Sequence, residues 1–252
     1  MEMLRNQFKR QLAEPGVQYG GWCSLADSVA AEIMAGAGFD FMVIDGEHSP
    51  NHLRSSLTQL QATNGYSVSV AARPVIGETA LIKQYLDIGF QTLVVPMVES
   101  AEQAEMLVKA TRYPPAGVRG VATARASRWG RMEDYWEQIN DEVCLVAQIE
   151  TMDGVANTEA IAAVEGVDAL FVGPSDLGAA LGFLGQATDP EARGKVAEAI
   201  GRAAATGKPV GTLSVNPELA REYRDAGASF VVTCVDTNLL ARATTEAANL
   251  LR

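Results

Sequence analysis

The chain alternates short apolar runs with helical stretches eight times in succession, and this alternation limits its fold more than any other feature. The apolar runs are continuous, as in residues 39–44 and 143–149, which is typical of strands buried on both faces of a parallel sheet. Eight strand-then-helix units in 252 residues predict a (β/α)8 barrel preceded by one extra helix. An open doubly wound sheet is the alternative, but residues 22–26 lack the glycine-rich phosphate loop expected there.

The predicted strands cover residues 18–24, 39–44, 68–72, 90–95, 143–149, 169–172, 210–213 and 230–235. The predicted helices cover residues 4–12, 27–36, 51–62, 79–88, 101–111, 133–139, 155–164, 190–206, 217–226 and 237–251, with a further helix after Ser175. No Ser/Pro-rich linker or change of composition divides the chain. We therefore expect residues 1–252 to form a single domain rather than two small ones.

Charge and composition exclude several classes of function. A net charge of -11 argues against binding to nucleic acid or to an anionic membrane, since both require an excess of Lys and Arg. Residues 119–131 are a local basic exception. The sequence has no apolar run long enough to span a bilayer and no signal-peptide core, so we expect a cytoplasmic protein. The three cysteines, Cys23, Cys144 and Cys234, are then expected to be reduced, buried thiols.

In a barrel of this kind, functional side chains collect where the strands end. The residues predicted at those ends are Trp22, Asp45, Glu47, His48, Arg73, Pro96, Gln148, Glu150, residues 174–176, Leu213, Val235 and Asp236. Glu150 and Asp176 follow neighbouring strands, and two such carboxylates suit Mg²⁺ or Mn²⁺. The alternative is that both residues are helix N-caps.

Arg73 and His48 are the other candidates for chemistry. Arg73 ends an apolar strand, where its guanidinium needs an anion: a bound carboxylate, or alternatively Asp45 or Glu47 in an internal salt bridge. His48 is a candidate general acid or base, oriented by Asp45 or Glu47, whereas His52 is interpreted as a surface residue. Trp22 is either packing at the barrel mouth or a wall of the substrate pocket.

Two features argue against other chemistries. No lysine ends a predicted strand, so a Schiff-base mechanism is not indicated. The loops at residues 214–216 and 235–237 contain no glycine, which weakly disfavours a phosphorylated substrate.

Several segments carry a resemblance to a known family. They are DGEHSPN (45–51), RP (73–74), VPMV (95–98), RYPPAGVRG (112–120), RASRW (125–129), QIE (148–150), GPSDL (173–177) and VDT (235–237). In this order they resemble the HpcH/HpaI aldolases, and most of all the branch that cleaves 4-hydroxy-2-oxoheptane-1,7-dioate. The resemblance covers nearly the whole chain. It implies a class II pyruvate aldolase on a (β/α)8 barrel that requires Mg²⁺, Mn²⁺ or Co²⁺ and breaks down aromatic-derived compounds.

The resemblance also implies a role for each site residue. Glu150 and Asp176 would bind the metal, which pyruvate would chelate, and the amides of Ser175 and Asp176 would hold the pyruvate carboxylate. Arg73 would stabilise the enolate, and Gln148 would support the site. The acid/base would be His48, paired with Asp45. The remaining roles fall to Trp22 and Leu213, which would border the aldehyde pocket, and to Asp87, which would reach a neighbouring subunit's site.

The family's assembly is a homohexamer, a trimer of dimers that exchange their last helix. Ser175 departs from relatives that often carry Ala, but its implied role uses the backbone. The expected reaction yields pyruvate and an aldehyde such as succinic semialdehyde. Two alternatives stay open: a lyase for CoA thioesters, which would need residues 119–131 as a basic patch, and a non-catalytic barrel that binds an oxo acid. The aldehyde, the preferred metal and the stereochemistry at C4 do not follow from sequence.

Overall fold

Eight parallel strands close into a barrel in the order in which they occur along the chain. The computed structural model describes residues 1–2 and 4–250. The strands are β1 (Gln18–Cys23), β2 (Phe41–Asp45), β3 (Ser69–Arg73), β4 (Thr92–Val95), β5 (Cys144–Ile149), β6 (Ala169–Val172), β7 (Val210–Leu213) and β8 (Phe230–Val235). The last strand pairs with the first, which closes the sheet. The predicted (β/α)8 barrel is therefore confirmed.

Helices fill the connections between the strands. In the described part of the chain they are α1 (Gln7–Gln11), α2 (Ser28–Ala35), α3 (Leu53–Ala62), α4 (Thr79–Asp87), α5 (Ala101–Thr111), α6 (Tyr135–Glu142), α7 (Met152–Ala156), α8 (Thr158–Ala163), α9 (Pro174–Ala180), α10 (Pro190–Ala205), α11 (Pro217–Asp225) and α12 (Asp236–Asn249). Short 3₁₀ turns lie at Thr63–Gly65 and Arg125–Ser127.

Three helices differ from the sequence-based expectation. The predicted helix 155–164 is two helices, α7 and α8, which meet at Asn157. The helix predicted at 133–139 begins two residues later and continues to Glu142. The final helix was predicted to reach Leu251, which lies outside the described residues, and its described part ends at Asn249.

The ends of the helices follow from local sequence. Asp27 caps α2 by accepting from the amides of Val29 and Ala30, as its position predicts. Asp189 and Asn216 cap α10 and α11 in the same way, and each of these helices begins with proline. Proline suits that position because it has no N–H to leave unpaired.

The extra N-terminal helix closes the lower end of the barrel. Phe8 of α1 packs inside the strands, with its ring centroid 5.2 Å from Phe41 and 5.4 Å from Phe230. Gly211 makes room for this cluster, because an added Cβ there would lie 2.0 Å from the Phe230 ring. The carboxyl ends of the strands lie at the opposite end, so the upper rim is the open one.

The C-terminal helix is the least covered element. From Asn238 to Asn249 every residue of α12 is exposed, including Leu239 and Leu240. In the described part of the chain, no helix combines the length and apolar character needed to cross a bilayer.

Candidate active site

Asp45 and Arg73 form a bidentate ion pair at the upper rim. They end β2 and β3 and stand opposite each other in the strand register. Arg73 Nε donates to Asp45 Oδ1 at 2.8 Å, and Arg73 Nη2 donates to Asp45 Oδ2 at 2.9 Å. The internal salt bridge considered for Arg73 is thus present in the structure, and it holds the guanidinium in one orientation.

Glu47 is a second carboxylate on the same guanidinium. Its Oε2 lies 2.9 Å from Arg73 Nη1, and the Glu47 side chain is 15% exposed. The sequence placed Glu47 at the end of a strand and suggested it as one possible partner for Arg73 or His48, but assigned it no role of its own in the site. Glu47 directly follows Gly46 and faces Arg73 at the end of β3. Residue spacing along the chain does not predict this contact.

The two carboxyl groups respond differently to their surroundings. Burial alone would raise the pKa of Asp45, but the hydrogen bonds and charge of Arg73 hold that pKa below its ordinary value. Burial raises the pKa of Glu47, and the charge of Glu150 adds to this effect against the opposing charge of Arg73. Glu47 is therefore the carboxyl group that ionises less readily.

The expected pairing of His48 with Asp45 differs from what the structure shows. Asp45 Oδ1 accepts from the backbone amide of His48 at 3.4 Å rather than from its imidazole. The imidazole lies beside Glu47, with His48 Nε2 3.9 Å from Glu47 Oε2, and its side chain is 63% exposed. The difference arises because Arg73 occupies Asp45.

Trp22 lies beneath the guanidinium. Its side chain is buried in the barrel interior, 5.9 Å from the Phe171 ring, and Arg73 Cζ lies 4.7 Å above the Trp22 ring. Trp22 is thus part of the core packing, and it also positions Arg73 through a cation–π contact.

Glu150 is held at the end of β5 by one donor on each oxygen. The backbone amide of Met97 donates to Oε1 at 2.9 Å, and Gln148 Nε2 donates to Oε2 at 2.5 Å. Met97 adopts a left-handed backbone with φ of 56° in the turn that brings its amide to the carboxylate. Since each carboxylate oxygen has two lone pairs, Glu150 keeps acceptor capacity for a cation although it is only 3% exposed.

Asp176 lies in the first turn of α9, the helix that follows β6, and β6 is the neighbour of the strand that Glu150 follows. The N-cap of α9 is Gly173, and that of α7 is Thr151. Neither Glu150 nor Asp176 is therefore a helix N-cap, which removes the alternative interpretation of this pair. Asp176 is exposed at the rim.

A hard divalent cation fits this donor set. Glu150 and Asp176 supply carboxylate oxygens, the ligand type that Mg²⁺ and Mn²⁺ prefer, and such ions keep other positions for water or substrate. The described residues contain no group of three or more His, Cys, Asp or Glu that could hold a metal. A two-carboxylate site is consistent with an ion that takes its remaining ligands from substrate and water.

Gly173 provides the space in which the Glu150 carboxylate lies. An added Cβ would stand 2.6 Å from Glu150 Oε2 and 3.0 Å from Glu150 Cβ. We expect Gly173→Ala to weaken Mn²⁺ binding by roughly 10- to 100-fold, as for other changes that misplace a ligand. Isothermal titration of the metal-free protein measures this affinity.

Gly178→Ala is the matched control for that substitution. Gly178 lies in the same helix, and an added Cβ there meets no heavy atom within 4 Å. Its Mn²⁺ affinity should stay within about twofold of wild type, since alanine favours the helix. Equal affinities for both variants would show that Gly173 does not position Glu150.

An apolar cleft of about 460 Å³ adjoins Asp176. Ser175, Asp176 and Leu213 line it together with Phe183 and Asn216. The structure therefore brings Leu213 beside Ser175 and Asp176, as the predicted aldehyde pocket requires.

Asp87 and two arginines of the basic segment make contacts within the chain. Asp87 is the last residue of α4 and accepts from Arg119 Nη2 of its own chain at 2.9 Å. Arg119 is only 1% exposed, and its Cζ lies 4.4 Å over the Tyr113 ring. Arg125 is also buried and donates to the carbonyl of Ile88. Two of the arginines in residues 119–131 thus serve internal packing.

The remaining predictions concern His52 and the thiols. His52 is exposed, as predicted, and it also caps α3 by accepting from the Ser55 amide through Nδ1 at 3.0 Å. All three cysteines are unpaired. Cys23 and Cys144 are buried, but Cys234 is only partly buried because it lies where β8 approaches the rim.

This fold and rim place the chain in a defined group of enzymes. The family model described as HpcH/HpaI aldolase/citrate lyase matches residues 18–243, and the chain belongs to this family. A Deinococcus radiodurans protein named hydroxypyruvate/pyruvate aldolase is 53% identical over 245 residues, which cover 96% of this chain and 88% of that protein. An Escherichia coli protein named 4-hydroxy-2-oxo-heptane-1,7-dioate aldolase is 48% identical over 242 residues, which cover 95% and 92%.

The solved structures agree with the sequence relatives. A crystal structure of an HpcH/HpaI aldolase/citrate lyase family protein from Burkholderia cenocepacia matches with a TM-score of 0.93 at 37% identity. The match covers 98% of this chain and 99% of that one.

Proposed function

We propose that this chain is a metal-dependent pyruvate aldolase, a carbon–carbon lyase that reversibly cleaves 4-hydroxy-2-oxo acids to pyruvate and an aldehyde. The observation that carries the proposal is the fixed guanidinium of Arg73 at the same rim as Glu150 and Asp176. Positive charge placed where an enolate oxygen develops is the main requirement of this reaction. The names of the aldolase relatives support the same class of reaction.

In cleavage, the C3–C4 bond of the substrate breaks. The proton of the C4 hydroxyl passes to His48, the C4 oxygen becomes the carbonyl of the released aldehyde, and the electron pair of the broken bond forms the pyruvate enolate. Arg73 stabilises the enolate oxygen. Net transfer to C3 of the one proton lost from the C4 hydroxyl then completes pyruvate and returns His48 to its starting state. Glu150 and Asp176 would hold a divalent cation, Mg²⁺, Mn²⁺ or Co²⁺, which would supply Lewis-acid stabilisation of the same charge.

Other residues hold the substrate. The amides of Ser175 and Asp176 lie in the first turn of α9, where backbone N–H groups have no partner within the helix, and they bind the pyruvate carboxylate. Gln148 orients Glu150 through its side-chain amide. The cleft beside Leu213 receives the aldehyde. Trp22 was expected to border this pocket, but it is not among the residues that line the cleft, and it contacts Arg73 instead.

The finer assignments are proposed from the resemblance to the 4-hydroxy-2-oxo-heptane-1,7-dioate aldolases. Succinic semialdehyde is the proposed aldehyde, which gives the enzyme a place in the breakdown of aromatic compounds. The CoA-thioester alternative required a basic surface at residues 119–131, and the burial of Arg119 and Arg125 argues against it. The presence of Arg73, Glu150 and Asp176 at one rim argues against a non-catalytic barrel that only binds an oxo acid.

We also infer one domain and a homohexameric assembly, a trimer of dimers, in the cytoplasm. The barrel uses strands from residue 18 to residue 235, which supports a single unit over residues 1–252. The exposed leucines of α12 favour exchange of this helix between subunits. In that assembly Asp87 approaches a neighbouring site. Three unpaired cysteines are consistent with a reducing compartment.

The test of the proposed function is pyruvate release from 4-hydroxy-2-oxoheptane-1,7-dioate, followed with lactate dehydrogenase. We expect release to fall at least about 100-fold after chelation and to return with Mg²⁺, Mn²⁺ or Co²⁺, since the cation stabilises the developing charge. Ca²⁺ at the same concentration is the control for ionic strength. Release that is unchanged by chelation would refute the metal site, and no release from this or shorter 4-hydroxy-2-oxo acids would refute the aldolase assignment.

A further inference from the structure

Another cavity, of about 450 Å³, lies at the lower end of the barrel. Its wall includes Ser69 and Thr92, the first residues of β3 and β4, together with Gly89, which follows α4. The strand β3 carries Arg73 at its other end, and at about 3.3 Å per residue Ser69 and Arg73 are roughly 13 Å apart. Among the described residues, none lines both this cavity and the cleft beside Leu213. The cavity is therefore separate from the candidate active site.

The lining of this cavity is basic, although the chain carries a net charge of -11. Among the described residues the lining includes three arginines and no Asp or Glu. Arg5 is neutralised by Glu142, with Arg5 Nη1 2.9 Å from Glu142 Oε1. Arg125 and Arg128 take part in no ion pair within the described part of the chain. Two positive charges therefore border the cavity without a carboxylate to balance them.

Arg125 is the more deeply placed of these two arginines. It is 9% exposed, and the one hydrogen bond of its side chain to a described residue runs from Nη1 to the Ile88 carbonyl at 2.6 Å. Ile88 is the C-cap of α4, a position that favours a cation, but its carbonyl occupies only one of five guanidinium N–H groups. Burial lowers the pKa of Arg125 to about 10, and the charge of Arg128 adds to this effect. Arg125 is thus still charged at pH 7, and a nearby anion would stabilise it.

Neutral donors complete the wall of the cavity. Asn64, Ser67 and Ser69 line it with amide and hydroxyl groups, each of which can donate a hydrogen bond. Guanidinium and hydroxyl donors together suit the oxygens of a phosphate or carboxylate group. The volume also lies within the range of roughly 300 to 1,000 Å³ that is usual for small-molecule sites. The space therefore admits a ligand that is larger than the anionic group alone.

We propose that the cavity at the lower end of the barrel binds a small metabolite through a phosphate or carboxylate group held by Arg125 and Arg128. The inference is independent of the proposed aldolase function, because the described residues of the lining do not include the groups of the rim. A bound oxyanion neutralises both guanidinium groups and accepts from Ser69 at the start of β3. The site is thus a second ligand site, at the end of the barrel opposite the reacting atoms.

Calorimetric titration of the full chain at saturating Mg²⁺ tests the site, with inorganic phosphate and succinate as separate probes. An ionic strength of about 50 mM keeps the screening of charges modest. We expect one equivalent of probe to bind per chain at this site, and the probe with the lower Kd identifies phosphate or carboxylate as the preferred group. Arg125→Gln and Arg128→Gln should each raise that Kd by about 10- to 100-fold, since each removes a charge-assisted hydrogen bond.

Arg131→Gln is the matched control. Arg131 is an exposed arginine of the same segment, and its Cζ lies 5.8 Å over the Trp129 ring rather than at the cavity. The Kd of this variant should stay within about twofold of wild type. Glu150→Gln, which is expected to lose the cation of the rim, should also keep the Kd of the lower cavity. Arg128→Gln maintains the test if Arg125→Gln misfolds, because Arg128 is only half-buried, and ultracentrifugation measures the assembly of every variant.

Four results would overturn the proposal. The first is the absence of binding by either probe up to about 10 mM, beyond the millimolar range of weak specific sites. The second is an equal loss of affinity in Arg131→Gln and Arg128→Gln, which would indicate general attraction to the basic segment. The third is the loss of all binding in Glu150→Gln, which would place the anion at the rim. The fourth is a changed oligomeric state in Arg128→Gln with unchanged affinity, which would identify the cavity as a contact between subunits.

Pyruvate release from 4-hydroxy-2-oxoheptane-1,7-dioate is a separate measurement. Its failure would refute the aldolase function and leave the anion site standing, whereas failure of the titration would leave the aldolase function standing.

Discussion

Arg73→Ala should lower kcat/KM for cleavage by roughly 100- to 1,000-fold, the usual effect of removing one donor to a developing oxyanion. The geometry makes the effect specific, because Asp45 and Trp22 hold the guanidinium in one orientation. Arg73→Lys is the matched control that keeps the charge but loses the bidentate fork. We expect lysine to recover at most a tenth of the lost rate. Steady-state kinetics of both variants with the same substrate measure this.

The same substitution has a consequence for stability that depends on pH. Asp45 is 1% exposed, and Arg73 keeps its pKa below the ordinary value of 3.8. A depressed carboxyl pKa stabilises the fold above the unfolded pKa, and this contribution is lost as the pH falls through the folded value. In Arg73→Ala burial raises the pKa instead, so the deficit should be greatest at neutral pH, about 3 kcal/mol, and should shrink toward pH 4.

Urea unfolding of wild type and Arg73→Ala at pH 7 and at about pH 4 measures this change. A deficit that stays constant with pH would show that Asp45 does not depend on Arg73 for its charge. A kcat/KM within about threefold of wild type would remove Arg73 from the enolate-stabilising role.

Glu150→Gln should abolish measurable divalent-metal binding and lower kcat by at least about 1,000-fold. The substitution keeps the size of the side chain and its contacts with the Met97 amide, but it removes the negative charge that a hard cation requires. Asp153→Asn is the control, because Asp153 is an exposed carboxylate in the first turn of α7, three residues farther along. Asp153→Asn removes one negative charge near Glu150, as Glu150→Gln does, and should leave the Mn²⁺ affinity within about threefold of the wild-type value.

Calorimetric titration with Mn²⁺ and the pyruvate-release rate report on both variants. A wild-type Mn²⁺ affinity in Glu150→Gln would contradict the proposed metal site. A large loss in Asp153→Asn would mean that the general charge of the rim, rather than direct ligation, governs binding.

The barrel and the location of its rim followed from sequence because they depend on repeated local patterns. A continuous apolar run such as residues 143–149 indicates a strand buried on both faces, and eight of them with helical crossovers leave few alternatives. Glu150 and Arg73 could be placed at one rim for the same reason. The closed strand order confirms this reasoning.

The choice of partners among neighbouring charges could not be obtained in this way. Asp45, Glu47 and His48 lie within four positions of one another. The sequence alone therefore could not decide which of the two carboxylates is the partner of the imidazole. Side-chain directions at the end of β2 and the reach of Arg73 from β3 decide the pairing. Arg119 was likewise assigned to a basic surface, since nothing in its neighbours indicated the buried contact with Asp87.

The separation of the rim into two sides has an implication for how this scaffold can diversify. Most of the charged groups proposed to act on the pyruvate part follow β2, β3 and β5 and depend on strand register, which tolerates little change. The first turn of α9 belongs with these groups, because Ser175 and Asp176 are assigned to pyruvate and the metal. The rest of the cleft beside Leu213 is built largely from the segment after α9 and the loop after β7. Insertions and substitutions in these two segments can change which aldehyde is accepted without changing the residues of the enolate chemistry. New substrate ranges can therefore evolve while the catalytic step stays the same.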